Sequence, residues 1–256
     1  MKTGKKRGQY LACQAKNASI LSRIIYLKSM HPFWGYRRIW ATLKYVEQFN
    51  VNHKRVYDLM KQNNLLCRKN IHLKALRTQA KKPQPTAPNQ YWGIDMTKVL
   101  TPTGWVYTTI VLDWFTKKVV GYHIGLQSKS EHWLQALDMA LNRQFKCGSR
   151  GQNLKLISDN GCQPTSVNFM KTCATLGVEQ IFTAYCNPKG NADTERFMRT
   201  LKEECAWLQD WKCADELMQE LKSWLEKYNY SYLHSTLKYK TPMQVETAFL
   251  TLLIAA

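Results

Sequence analysis

Three acidic residues, far apart in sequence, carry the chemistry that this chain could perform. Asp95 lies inside the apolar, aromatic run Tyr91-Trp92-Gly93-Ile94-Asp95-Met96-Thr97. Asp159 ends the run Leu154-Lys155-Leu156-Ile157-Ser158 and is followed at once by Asn160-Gly161. Glu195 sits near the start of a helix-like segment after the loop Asn187-Pro188-Lys189-Gly190, and 35 residues separate it from Asp159. Clustered carboxylates raise one another's pKa unless positive charge sits between them. A divalent cation held by oxygen ligands is the natural counter-charge. A pair of such ions can activate water or a 3′-hydroxyl and stabilise the leaving oxygen of a phosphodiester.

Each acid has a plainer reading. Asp159-Asn160-Gly161 is a turn signal, and a lone helical Glu195 is ordinarily solvated. Asp95 among Trp, Ile and Met is the strongest member, because an unpaired acid in apolar surroundings is costly. Asp113 in Val111-Leu112-Asp113-Trp114 rivals for a fourth carboxylate, and Glu203 and Glu204 rival for the third. Asp193 reads as helix N-terminal charge.

The elements that must position these acids follow from periodicity. Tyr91–Leu100, Gly104–Trp114 and Lys118–Gly125 are β-rich runs with short connections, an antiparallel meander. Helix Ser130–Phe145, with Ser130 as its cap, precedes strand Leu154–Ser158, helix Thr165–Leu176, strand Val178–Phe182 and helix Ala192–Leu208. Three strands followed by alternating helix and strand make a mixed five-stranded α/β sheet flanked by helices. Asp159 would then stand at the C-terminal end of the fourth strand, where open α/β sheets place ligands. Arg199 and Lys202 share a helix face with Glu195, a stripe suited to a DNA backbone. Segments Ala214–Tyr228 and Thr241–Leu252 read as closing helices.

Charge is distributed unevenly. Residues 1–90 hold 19 of the 37 Lys and Arg against Glu47 and Asp58 alone, a local +17, while the remainder carries +2. A basic N-terminal third points to a polyanion partner. Its helices are Ser19–Met30, Gly35–Glu47 and His53–Asn63, the last capped by Asn52, with residues 1–17 expected to fray. A helix, a short turn and a helix with Lys54 and Arg55 near its start is a helix-turn-helix proposal. Trp34, Tyr36 and Trp40 read as core rather than base-stacking groups. The implied organisation is a basic helical DNA-binding domain at 1–67, a basic Pro-rich linker at 68–90, a catalytic core at 91–210 and a C-terminal helical segment at 211–256.

The eight cysteines show no C-x-x-C pair, no secretory segment precedes them, and no apolar run reaches membrane-spanning length, so reduced cytosolic thiols are expected. The six histidines lack zinc-site spacing and read as surface or satisfied side chains.

Four stretches carry a family resemblance. They are His31-Pro32-Phe33-Trp34-Gly35-Tyr36-Arg37-Arg38-Ile39 with Val51-Asn52-His53-Lys54-Arg55-Val56-Tyr57; Trp92-Gly93-Ile94-Asp95-Met96-Thr97; Ser158-Asp159-Asn160-Gly161; and Lys189-Gly190-Asn191-Ala192-Asp193-Thr194-Glu195-Arg196-Phe197. Tyr228-Asn229, His234 and Tyr239-Lys240-Thr241-Pro242 also fit. The chain resembles the catalytic second-frame (OrfB) products of bacterial insertion sequences, within the transposases and retroviral integrases that share an RNase H-like fold. The leucine zipper of the first-frame partner and the zinc module of the integrases are not found.

The resemblance implies that Asp95, Asp159 and Glu195 hold two Mg²⁺ (or Mn²⁺) ions and that DNA strands are cut and joined at element ends. It implies double-stranded element-end and target DNA as partners, a homo-oligomer on that DNA, a first-frame (OrfA) product or fusion, and a bacterial, cytoplasmic, nucleoid-associated setting. Candidate DNA contacts are Arg37, Arg38, Lys54, Arg55, Lys189, Arg199 and Lys202. Two alternatives stand beside this reading: a nuclease of the same fold with Asp113 as a fourth ligand, and a non-catalytic DNA-binding protein.

Overall fold

The computed structural model describes residues 3–67, 83–183 and 191–255, which fall into two compact units, Met1–Leu76 and Arg77–Ala256.

The first unit is three helices around one apolar cluster. Helix α1 (Thr3–Met30), α2 (Tyr36–Ala41, continued by a π-helical turn over Thr42–Val46) and α3 (His53–Gln62) bury Ile20, Ile24, Ile39, Leu43, Val56, Leu59 and Met60 against one another. Asn52 caps α3, its Oδ1 accepting from Arg55 N at 2.8 Å. Trp34, Tyr36 and Trp40 are partly buried against this core, as expected. Helix α1 begins earlier than the fraying expected for residues 1–17. Its Lys, Arg, Gln and Ala residues are good helix formers and offset Gly4 and Gly8. His31 departs from the expectation of satisfied histidines. It stacks on Trp34 at 3.8 Å between centroids, and its Nδ1 is buried without a partner.

The second unit is a five-stranded mixed sheet in the order β3-β2-β1-β4-β5. Strands β1 (Tyr91–Thr101), β2 (Gly104–Asp113) and β3 (Val119–Gly125) form the antiparallel meander, and β4 (Lys155–Ser158) and β5 (Glu179–Phe182) add in parallel. Side chains alternate between faces along a strand, which divides the core in two. Trp92, Ile94, Val111, Val120, Leu154 and Leu156 point to one face, packed by α4 (Ser130–Gln144) and α5 (Val167–Thr175). Ile110, Leu112 and Ile157 point to the other, packed by α6 (Ala192–Leu201) and α7 (Ala214–Ser231). The segment expected as one helix to Leu208 is α6 followed by a π-helical turn over Lys202–Ala206. Ser130 does not cap α4. Lys129 holds the cap position and its backbone N–H donates to His132 Nδ1 at 3.1 Å, leaving Ser130 as the first helical residue.

The closing helices are tied to the sheet by buried polar groups. Asn229 on α7 continues the ladder of β3, accepting from Val119 N and donating to Val119 O, each at 2.9 Å. Tyr228 Oη pairs with His234 Nε2 at 2.7 Å. Helix α8 (Pro242–Ala255) is anchored by the Lys118–Glu246 ion pair at 2.6 Å.

Candidate active site

Asp95, Asp159 and Glu195 are carried to one region, where β1, the end of β4 and the start of α6 converge. Strands β1 and β4 pair in parallel through Tyr91↔Lys155, Trp92↔Leu156 and Gly93↔Ile157. Carrying that register two residues further sets Asp159, just past the end of β4, beside Asp95 in β1. Asp95 pairs with Ile110 across the antiparallel edge, so it points to the face that α6 covers.

Gly93 explains how α6 gets there. It precedes Asp95 by two residues on the same face of β1, and α6 presses directly onto it. A Cβ at this position would lie 2.0 Å from Thr194 Oγ1, 2.5 Å from Trp114 Nε1 and 2.9 Å from Asn191 Oδ1. Only glycine permits that approach. Trp114 Nε1 donates to Thr194 Oγ1 at 3.2 Å, and Asn191 Nδ2 donates to Ile94 O at 3.4 Å. Glu195 follows Thr194 directly, so this clamp fixes the acid's approach to Asp95. The Lys117–Asp193 ion pair at 2.8 Å steadies the same turn of helix, and Asp193 lies in that first turn, as expected of N-terminal charge.

The electrostatics reflect the convergence. Burial pushes Asp95 from 3.8 to about 6, and the fields of Asp159 and Glu195 push in the same direction. The Met96 backbone N–H and the ammonium of Lys202 act against them. Desolvation also raises Glu195. Such a site is unfavourable to its own anions and favourable to an added cation. Each carboxylate is meanwhile turned to a local donor or to solvent. Asp95 Oδ1 accepts from Met96 N at 2.7 Å, Asp159 Oδ1 accepts from Gly161 N at 3.0 Å, and Glu195 is exposed. No three His, Cys, Asp or Glu side chains among the described residues stand close enough to share one ion. The donor set, all hard oxygen, is of the kind that suits Mg²⁺.

The rival acids are otherwise engaged. Asp113 is buried and accepts from Thr116 N (2.9 Å), Thr116 Oγ1 (2.5 Å) and Asn89 N (3.1 Å). It builds the β2–β3 turn. Glu203 binds Arg199 at 2.7 Å, and Glu204 is buried. The basic candidates divide similarly. Lys202 lies within the field of Asp95. Arg199 is held by Glu203, and Arg55 donates to Asn17 Oδ1 at 2.7 Å. Arg37 and Arg38 lie over the rings of Tyr36 and Trp34, and Lys54 is exposed at the start of α3. Lys189 lies outside the described residues. Sequence reasoning missed Thr194, Trp114 and Asn191. The Trp114–Thr194 bond spans 80 residues, and nothing local signals it.

Comparison with known proteins finds integrase and transposase relatives. An integrase core domain matches residues 85–188, and a second integrase core domain matches 176–242. The chain belongs to the integrase-core family. An HTH-like domain matches residues 16–70 of this integrase-core protein, in agreement with the helix-turn-helix reading. Among curated relatives, the transposase for insertion sequence element IS904 of Lactococcus lactis subsp. lactis is 33% identical over 168 residues, 63% of this chain. The match spans 62% of that relative's length. The putative transposase InsK for insertion sequence element IS150 of Escherichia coli is 26% identical over 223 residues, covering 82% of this chain and 76% of InsK. The transposase InsD for insertion element IS2D of Escherichia coli is 25% identical over 235 residues, 89% and 78% of the two chains. The RNase H-like fold is shared with solved integrases. The simian T-cell lymphotropic virus intasome, solved with the PP2A regulatory subunit B56 gamma, aligns with TM-score 0.53 and 17% identity over 80% of this chain and 73% of its own. The HTLV-2 integrase catalytic core, solved with magnesium in a trimeric form, aligns with TM-score 0.50 and 18% identity over 64% of this chain and 99% of its own.

Proposed function

We propose that this chain is the catalytic subunit of an insertion-sequence transposase, which cleaves DNA strands at element ends and joins them to target DNA. The observation that carries the reading is Asp95, a strand carboxyl raised to about 6 with Asp159 and Glu195 adding to the rise. Three hard acids whose fields meet at Asp95 create an unmet need for positive charge. Asp95, Asp159 and Glu195 would hold two Mg²⁺ (or Mn²⁺) ions. When bound, those ions supply Lewis acidity to the attacking and leaving oxygens of an in-line displacement.

The protein's own groups do the rest. Rigid β1 fixes Asp95 as the reference ligand, while Asp159 on a strand tip and Glu195 on an exposed helical turn adjust to it. Lys202, close enough to Asp95 to offset its charge, offers an ammonium to a phosphate of the same strand. The three-helix unit, with Arg37, Arg38 and Lys54 at its surface, supplies sequence-independent phosphate contacts and element-end recognition. Two DNA ends must be brought together, so the working form is a homo-oligomer on DNA, acting in the cytoplasm on nucleoid DNA, alone or with a first-frame product. No helix among the described residues is long and apolar enough to cross a membrane.

The test is Mg²⁺-dependent strand transfer with element-end DNA. Asp95→Asn, Asp159→Asn and Glu195→Gln should each abolish joining while leaving DNA binding intact. Joining at the wild-type rate by any of the three would refute the assignment of that acid.

A further inference from the structure

Trp207 is an exposed aromatic that neither the core nor the acid cluster uses. Its side chain is 57% exposed at the end of the π-helical turn that follows α6. An exposed indole offers a flat π-face on which a base can stack. Lys202 Nζ lies 5.7 Å from the centre of the Trp207 ring. The same ammonium is the cation whose field offsets the charge on Asp95. Lys202 therefore neighbours both the acid of β1 and the indole.

We propose that Trp207 is a stacking platform for an unpaired base of the DNA strand whose phosphate lies at Lys202. The proposal rests on the reading of the acid cluster as a DNA-processing centre and adds a binding site to it. A strand positioned at the carboxylates places its backbone against Lys202 and one of its bases within reach of the indole. Every base has a π-face, so the contact tolerates any sequence. A base in a duplex has both faces covered, so the site takes a strand that is frayed or single-stranded beside the reacting phosphate. A second exposed tryptophan, Trp105, also carries a lysine over its ring, Lys98 at 4.5 Å. It pairs with Leu100 on β1, an odd number of residues from Asp95 and hence on the opposite face of the sheet. Trp105 is the internal control.

The experiment uses the full chain in Ca²⁺, which suppresses turnover, and measures fluorescence anisotropy of labelled duplexes. The probes are a blunt duplex, the same duplex with an unpaired 3′ tail, and one with an abasic tail. Wild-type protein should bind the normal tail more tightly than the abasic one. Trp207→Ala should lose affinity for the normal tail by about 5- to 150-fold, the value of one base–aromatic stack, and lose nothing further on the abasic tail. Trp207→Phe should retain most of the effect, and Trp105→Ala all of it. Equal losses on normal and abasic tails, or no loss on either, would overturn the proposal. A change in oligomeric state without a tail-dependent loss would overturn it too, in favour of a protein interface. Binding in Ca²⁺ does not require catalysis, so failure of strand transfer and failure of stacking are separately visible.

Discussion

Asp95 should destabilise the metal-free protein, and Asp95→Asn should relieve that cost. A carboxyl raised from 3.8 to about 6 binds its proton more tightly in the folded chain than in the unfolded one. Below the unfolded value both states are protonated and no cost exists. As pH climbs through the folded value the anion is forced into the site, and stability falls, levelling above about pH 6. At about 1.4 kcal/mol per pH unit the full cost is about 3 kcal/mol. Asp95 is half-buried rather than sealed, so this is the ceiling. Asparagine keeps the Oδ1 that accepts from Met96 N at 2.7 Å and removes only the charge. Urea unfolding of wild type and Asp95→Asn in EDTA, from pH 4 to 7.5, should show curves that coincide at low pH and separate in favour of the variant by up to about 3 kcal/mol. Mg²⁺ should then stabilise the wild type and leave the variant unmoved; at a concentration of about 100 times its Kd the gain is about 2.7 kcal/mol. A constant difference between the two proteins across this pH range, or equal stabilisation by Mg²⁺, would refute the electrostatic account of the site.

Other perturbations separate positioning from structure. Gly93→Ala should abolish joining and destabilise the second unit, read by thermal melting, because a Cβ 2.0 Å from Thr194 Oγ1 must force α6 off the strand. Thr194→Val removes the hydroxyl that accepts from the Trp114 indole N–H, at a cost of about 1 kcal/mol; it should weaken Mg²⁺ affinity as well as melting temperature, since Glu195 is the next residue. Asp113→Asn should lower stability by weakening its bonds to Thr116 and Asn89 yet leave the Mg²⁺ dependence of joining unchanged. A shifted metal dependence would reinstate it as a ligand. Deleting residues 1–82 should weaken DNA binding and flatten its salt dependence by about 0.9 in log–log slope for each phosphate that is no longer neutralised; an unaltered slope would mean that other residues neutralise the phosphates.

The fold was legible where its signals were local. The alternating runs at 91–125 became the meander, the buried runs before Asp159 and after Gly177 became the inner and edge parallel strands, and Asn52 caps α3 as its type and place suggest. Asp113 resembles Asp95 in its flanks: both acids follow apolar, strand-forming residues. The distinguishing sign was Thr116, three residues on, which turns Asp113 into the acceptor of a tight turn. The π-helical turns at Thr42–Val46 and Lys202–Ala206 were not legible, because their sequences carry ordinary helical periodicity and tertiary packing decides the extra residue. The clamp on Gly93 was hidden for a different reason. Its donors and acceptors come from β1, the turn after β2 and α6, and their proximity exists only once the sheet has formed.

That clamp bears on why the acids stand apart. Three carboxylates on one face, with Lys202 as counter-charge, repel one another, and each has an alternative in a backbone donor or in water. The clamp holds the backbone of α6 against β1 regardless of that repulsion, so the cost of bringing the ligands together is confined to side-chain rotations at Asp159 and Glu195. Breaking the hydrogen bond of Asp159 Oδ1 to Gly161 N costs about 1 kcal/mol when the oxygen regains a partner, far less than moving a helix. The scaffold is therefore rigid where the helix meets the strand and adaptable at two of its three acids. Weakening the clamp should accordingly be felt first as a fall in metal affinity, ahead of any loss of fold.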